Sequence, residues 1–150
     1  ALVFGIIALG VGWQIKAAFF MLTSQFWGEK TSFLTMISAM GLTYIPFIIK
    51  NFIQGFAMLI TGNFIQHQGL SSLIVTSNDP MAFAGNPIYA LLSRIDIFVF
   101  WSLFLLFLAL VVCGGMSKKK AILPTAIYWV CIMAAGVVPT LVVKLTSAGM

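Results

Sequence analysis

The sequence predicts an all-α integral membrane protein, a polytopic bundle of four transmembrane helices in a single domain over residues 1–150. Three observations carry this prediction. Asp, Glu, Lys and Arg make up 7% of the chain, where a soluble domain carries about a quarter. Apolar residues make up 61% and gather into runs of membrane-crossing length, roughly 20 helical residues for a hydrocarbon layer about 30 Å thick. The lysines that remain concentrate in short loops between those runs. The predicted spans are residues 2–26, 33–60, 95–112 and 121–145, with a long interfacial connection over 61–93.

The first span holds one charge, Lys16. Gly5, Ala8 and Gly12 recur on one helical face, where small side chains let another backbone approach. Lys16, four residues after Gly12, falls on the same face. Trp27-Gly28-Glu29-Lys30 supplies an interfacial aromatic and a turn. The chain opens at Ala1 inside an apolar run with no basic n-region, so further residues upstream are expected, another helix among them.

Thr31 or Ser32 caps the second span. Pro46 interrupts it and is expected to kink it. Ala39, Thr43, Lys50 and Gln54 sit near one face, a polar stripe expected to face protein or water and not lipid. In the connection, Ser77-Asn78-Asp79-Pro80 and Asn86-Pro87 each read as a turn or helix start. Ile88, Leu91, Leu92 and Ile95 then recur at helical spacing, predicting a short interfacial helix that feeds the third span.

Asp96 stands at the entry of the third span, and Gly114-Gly115 ends it. Ser117-Lys118-Lys119-Lys120 forms a basic turn. In the fourth span Pro124 lies in the first turn, where proline costs little. Pro139 lies deep and is expected to bend the helix unless neighbours satisfy the freed carbonyl. With four spans, the loops 28–31 and 117–120 share one side, and their lysines place it in the cytoplasm. The triple lysine also suits anionic lipid.

Chemistry-bearing patterns are scarce. The net charge of +5 comes from orienting lysines; no basic stripe interleaved with aromatics lies outside the spans, which argues against nucleic acid. Cys113 and Cys131 fall inside apolar spans without ligand spacing. Neither a metal cluster nor a nucleophile elbow nor a phosphate loop is present. The three acids, Glu29, Asp79 and Asp96, fall in separate segments. His67 reads as an exposed polar residue. No catalytic residue, metal or cofactor is assigned, and the chain is read as a non-enzyme.

The intramembrane charges are the sharper signal. Lys16 and Lys50 each lie roughly 15 Å from a span end, near mid-membrane, and no acid is expected at that depth. Beside snorkelling toward water, three explanations compete: neutral lysines, a wet cavity holding an anionic ligand or lipid headgroup, and a carboxylate from a missing segment or a partner. Lys16, Thr43, Lys50 and Gln54 are the cavity candidates. Asp96 is expected to pair with Lys144, with Arg94 competing, unless headgroups solvate each separately.

The segment Arg94-Ile-Asp96-Ile-Phe98-Val-Phe-Trp101-Ser, followed by Gly114-Gly115-Met-Ser117-Lys118-Lys119-Lys120-Ala, resembles the Yip domain family. These are polytopic membrane proteins named for interacting with Rab-type GTPases. Tyr44-Ile45-Pro46 is similar to the family's Tyr-and-Pro feature, and Tyr44, Pro46, Asp96, Trp101 and Pro139 are taken as structural residues. The resemblance implies five membrane helices, of which this chain would hold the second to fifth. The Asp-Leu-Tyr-Gly-Pro motif of the eukaryotic branch does not occur in this sequence, and the compact loops look more like the bacterial branch.

Two functions are expected to compete. The first is a non-enzymatic adaptor that organises membrane lipids, membrane or cytosolic proteins, or further copies of itself. The second is a transporter or channel-like protein for a small anion, lipid or other solute. The expected location is a bacterial inner membrane, with an ER or Golgi membrane as the alternative.

Overall fold

The computed structural model describes residues 2–28, 30–62, 69–74 and 86–148. Among them the chain is helical and contains no strand. Glu29, His67 and the Ser77–Pro80 turn lie outside the described residues, as do the side chains before Gly10.

Helix α1 runs over Leu2–Trp27 and stops at Gly28, whose N–H donates to the Ser24 carbonyl. Helix α2, Phe33–Leu42, starts at the Ser32 N-cap, whose Oγ accepts from the Thr35 N–H at 3.1 Å. This satisfies one of the amide donors that every helix start leaves open. Its buried face is Met36, Ala39 and Met40, the i, i+3, i+4 pattern of an apolar stripe.

The second span is not one bent helix. α2 closes with two tight bonds, Thr43 N–H to the Met40 carbonyl and Tyr44 N–H to the Gly41 carbonyl. Helix α3, Ile45–Thr61, then begins. The cause is Pro46. It has no N–H for the Leu42 carbonyl, and its ring would strike that turn. The chain therefore ends one helix and puts Pro46 at the second position of the next, where a missing donor costs nothing. The segment Phe33–Thr61 remains long and apolar enough to cross a membrane by length and composition.

A 3₁₀ turn at Gly69–Leu73 follows. Gly69 has φ +61°, and a Cβ there would meet the carbonyls of Leu92, Ser93 and Ile95, so glycine is required on both counts. Helix α4, Pro87–Leu92, starts at Asn86, whose Oδ1 accepts from the Ile88 and Tyr89 amides. Helix α5 covers Ile97–Val112. Its cap is Asp96, whose Oδ1 accepts from the Val99 N–H at 2.8 Å.

Helix α6 runs over Lys118–Ala148, three residues earlier than expected, because Lys120 and Ala121 both donate to the Ser117 carbonyl. Pro124 is therefore inside the helix and not in its first turn, and α6 is continuous through both Pro124 and Pro139. Lys118–Thr146 is again long and apolar enough to span a membrane.

Two compact units emerge, Ala1–Pro46 with Trp101–Ile127, and Phe47–Phe100 with Tyr128–Met150. In the first, Phe20, Met36, Met40, Leu106 and Leu110 are fully buried. The Trp13 indole N–H donates to the Ile37 carbonyl at 2.9 Å. In the same unit the two short loops lie together. Thr31 Oγ1 donates to the Cys113 carbonyl at 2.7 Å, and a side chain on Gly28 would collide with the Gly114 carbonyl. Outside these cores large apolar side chains stand exposed, among them Phe52 at 75%, Leu59 at 84% and Ile97 at 76%. A surface of this kind suits lipid and not water.

Candidate functional site

Two polar clusters arise where the helices break. The first lies at the end of α2. Lys16 is buried, and its Nζ donates to Thr43 Oγ1 at 2.7 Å. The same ammonium lies 4.8 Å from the centroid of the Tyr44 ring, a cation–π distance. Thr43 Oγ1 donates onward to the Met40 carbonyl, and Ser102 Oγ donates to the Thr43 carbonyl, both at 2.7 Å. Three residues singled out for different reasons, Lys16, Thr43 and Tyr44, thus form one node, and each sits where Pro46 forces the chain to turn.

The snorkelling explanation does not describe Lys16, because its ammonium is engaged inside the fold. Nor do Gly12 and Lys16 share a packed face: a Cβ on Gly12 would meet open space, while Lys16 is buried. The reason is length. With only 10 residues, α2 reaches back along α1 about as far as Trp13, which packs on Gly41; Gly12 and Gly10 lie past that point.

The second cluster lies in the other unit. Lys50 Nζ and Asp96 Oδ2 form a salt bridge at 2.5 Å, with side chains 14% and 9% exposed. Asp96 is doubly used, since its Oδ1 caps α5. This corrects the expectation that Lys50 has no acid at its depth, and Asp96 is held by Lys50 where Lys144 or Arg94 was expected. The cause is again a helix break. Capping α5 points one carboxylate oxygen along the helix and leaves the other for a donor on α3.

The pair borders a pocket of about 410 Å³ whose polar lining is Lys50, Tyr89, Ser93, Arg94 and Asp96. Phe47, Val99 and Ile132 form its apolar wall. The Arg94 stem lies on Gly136 of α6, where a Cβ would come within 2.9 Å of Nε. Gln54, one turn beyond Lys50, is half-buried and is not part of the lining. Trp101 is exposed, as are Lys118, Lys119, Lys120 and Lys144. Pro139 is exposed within α6.

Sequence reasoning missed Ser102. Its signal was present, as the single hydroxyl within the otherwise apolar α5. Among the described residues no group of three or more His, Cys, Asp or Glu could hold a metal ion. Both cysteines are free thiols.

A family model described as the Yip1 domain matches residues 1–138. No curated protein and no solved structure gives a match.

Proposed function

Since the chain belongs to the Yip1 domain family, we propose that this membrane protein is a non-enzymatic adaptor that organises lipids or protein partners within the bilayer. The observation that carries this reading is the fate of Lys16. Its charge is taken up by the Thr43 hydroxyl and the Tyr44 ring, so it stabilises a helix break and is not held ready for a passing solute. The outer surface gives the reading its second support. Gly10 and Gly12 of α1 face open space, and small residues on a membrane helix let another helix approach closely.

In this reading the chain is one transmembrane domain with the loops 28–31 and 117–120 in the cytoplasm. The compact loops favour a bacterial inner membrane over an ER or Golgi membrane. The partners are lipids and either a membrane or cytosolic protein or a second copy. Non-enzymatic character rests on the scattering of the acids and the lack of a catalytic pattern in the sequence.

The test is a photo-crosslinking amino acid at Val11, which is exposed, in native membranes. One discrete protein adduct, reproducible between preparations, is the expected result. Lipid adducts alone would remove the protein-adaptor role.

A second reading, passage of a small solute, has one supporting observation, the pocket at Lys50. It predicts that Lys50→Met slows flux of a small anion in reconstituted liposomes while insertion is retained. No flux above empty liposomes from the unmodified protein would remove this reading.

A further inference from the structure

The pocket beside α3 carries an imbalance of donors over acceptors. Each oxygen of Asp96 already accepts one bond, Oδ1 from the Val99 amide and Oδ2 from Lys50. Ser93 Oγ donates to the Ala90 carbonyl. Lys50 has three N–H donors, and Asp96 takes one. Arg94 has five donors in a rigid fork, and among the described residues no acceptor engages its guanidinium. The charge count points the same way: Lys50 and Asp96 cancel, and Arg94 leaves the pocket with one net positive charge.

From this we infer that the pocket binds a phosphate-class anion, gripped by the Arg94 fork and completed by the spare donors of Lys50. The geometry is suited to it. Gly136 lets the Arg94 side chain pass close to α6, so that its exposed guanidinium borders the pocket. Asp96 holds Lys50 there through the salt bridge. Arginine meets phosphate oxygens through two parallel bonds, and a dianionic or monoanionic phosphate supplies the acceptors that the protein does not. Carboxylate ligands offer fewer oxygens to the same donor set. The volume of about 410 Å³ exceeds a bare phosphate, and the apolar wall of Phe47, Val99 and Ile132 can receive what the phosphate is attached to. Two sources share this chemistry, the phosphodiester of an anionic phospholipid and free inorganic phosphate. The inference is independent of the protein-adaptor role, which is tested by a protein contact at α1.

The experiment uses the full chain purified in a zwitterionic detergent. One arm titrates phosphatidylglycerol against phosphatidylcholine with the same acyl chains and counts retained lipid by native mass spectrometry. The other adds inorganic phosphate and follows thermal unfolding. Arg94→Gln is compared with Lys30→Gln, which removes the same charge from an exposed loop position. A phosphatidylglycerol preference that falls at least about tenfold in Arg94→Gln and survives in Lys30→Gln supports the site with a lipid headgroup as its ligand. Stabilisation by phosphate that only Arg94→Gln abolishes, with no lipid preference, supports it with the free ion. An Arg94→Gln protein equal to the unmodified chain in both arms overturns the site, as does absence of binding in both. Should Arg94→Gln fail to fold, Arg94→Lys serves, because it keeps the charge and loses the fork. A several-fold loss is expected, and unchanged affinity overturns the site.

Discussion

Lys50 and Asp96 stand 46 positions apart in the chain, yet their charged groups meet at 2.5 Å. Each is mostly shielded from solvent, so each charge depends on the other. Asp96→Asn keeps an N-cap side chain for α5 and removes the counter-charge of Lys50. Breaking a buried pair from one side costs about 3–5 kcal/mol, and the residual exposure here lowers that to roughly 2–4 kcal/mol. Thermal unfolding in a fixed detergent is the measurement. The double variant Lys50→Met with Asp96→Asn should recover most of the loss, since no uncompensated charge remains.

The helix break between α2 and α3 gives a second expectation. Ser102 holds the Thr43 carbonyl from α5, and its hydroxyl is buried. Ser102→Ala removes that bond with almost no change of volume. The expected loss is about 1 kcal/mol, read as a fall in melting temperature together with faster amide exchange at Thr43 and Tyr44. Unchanged exchange there would show that Pro46 fixes the break without help.

Much of the fold was legible before any coordinates. Apolar runs located α1, α5 and α6, and the caps at Ser32 and Asn86 were readable because capping is local chemistry. The start of α6 was not, because lysines oppose the positive end of the helix dipole and gave no helix signal at Lys118. The break at Thr43 cannot be told from a kink in the sequence, since a proline at the second position of a new helix and one inside a bent helix read alike. Among site residues, Lys16 and Lys50 announced themselves by the cost of charge in lipid. The partner of Lys50 did not, because pairing across 46 residues is decided by how α3 meets the cap of α5, and no periodicity records that.

Gly41 tests the packing of α1 on α2 through the sign of an effect. In an open helix, Gly→Ala gains about 0.5–1 kcal/mol. Here the new Cβ would stand 2.8 Å from Trp13 Cζ2. Gly41→Ala should therefore lower stability and disturb the indole bond to the Ile37 carbonyl. A rise in melting temperature would mean that Trp13 moves aside freely.

The proposed topology threads the chain through a bilayer with both short loops in the cytoplasm and the connection that carries Ser72 outside it. Thiol labelling tests this most directly. In a background with Cys113 and Cys131 replaced by serine, single cysteines are placed at Ser72 and Ser117, both exposed. Intact cells are treated with a membrane-impermeant maleimide. The predicted result is labelling at position 72 without permeabilisation and at position 117 only after it. Equal labelling of both positions in intact cells would contradict the account.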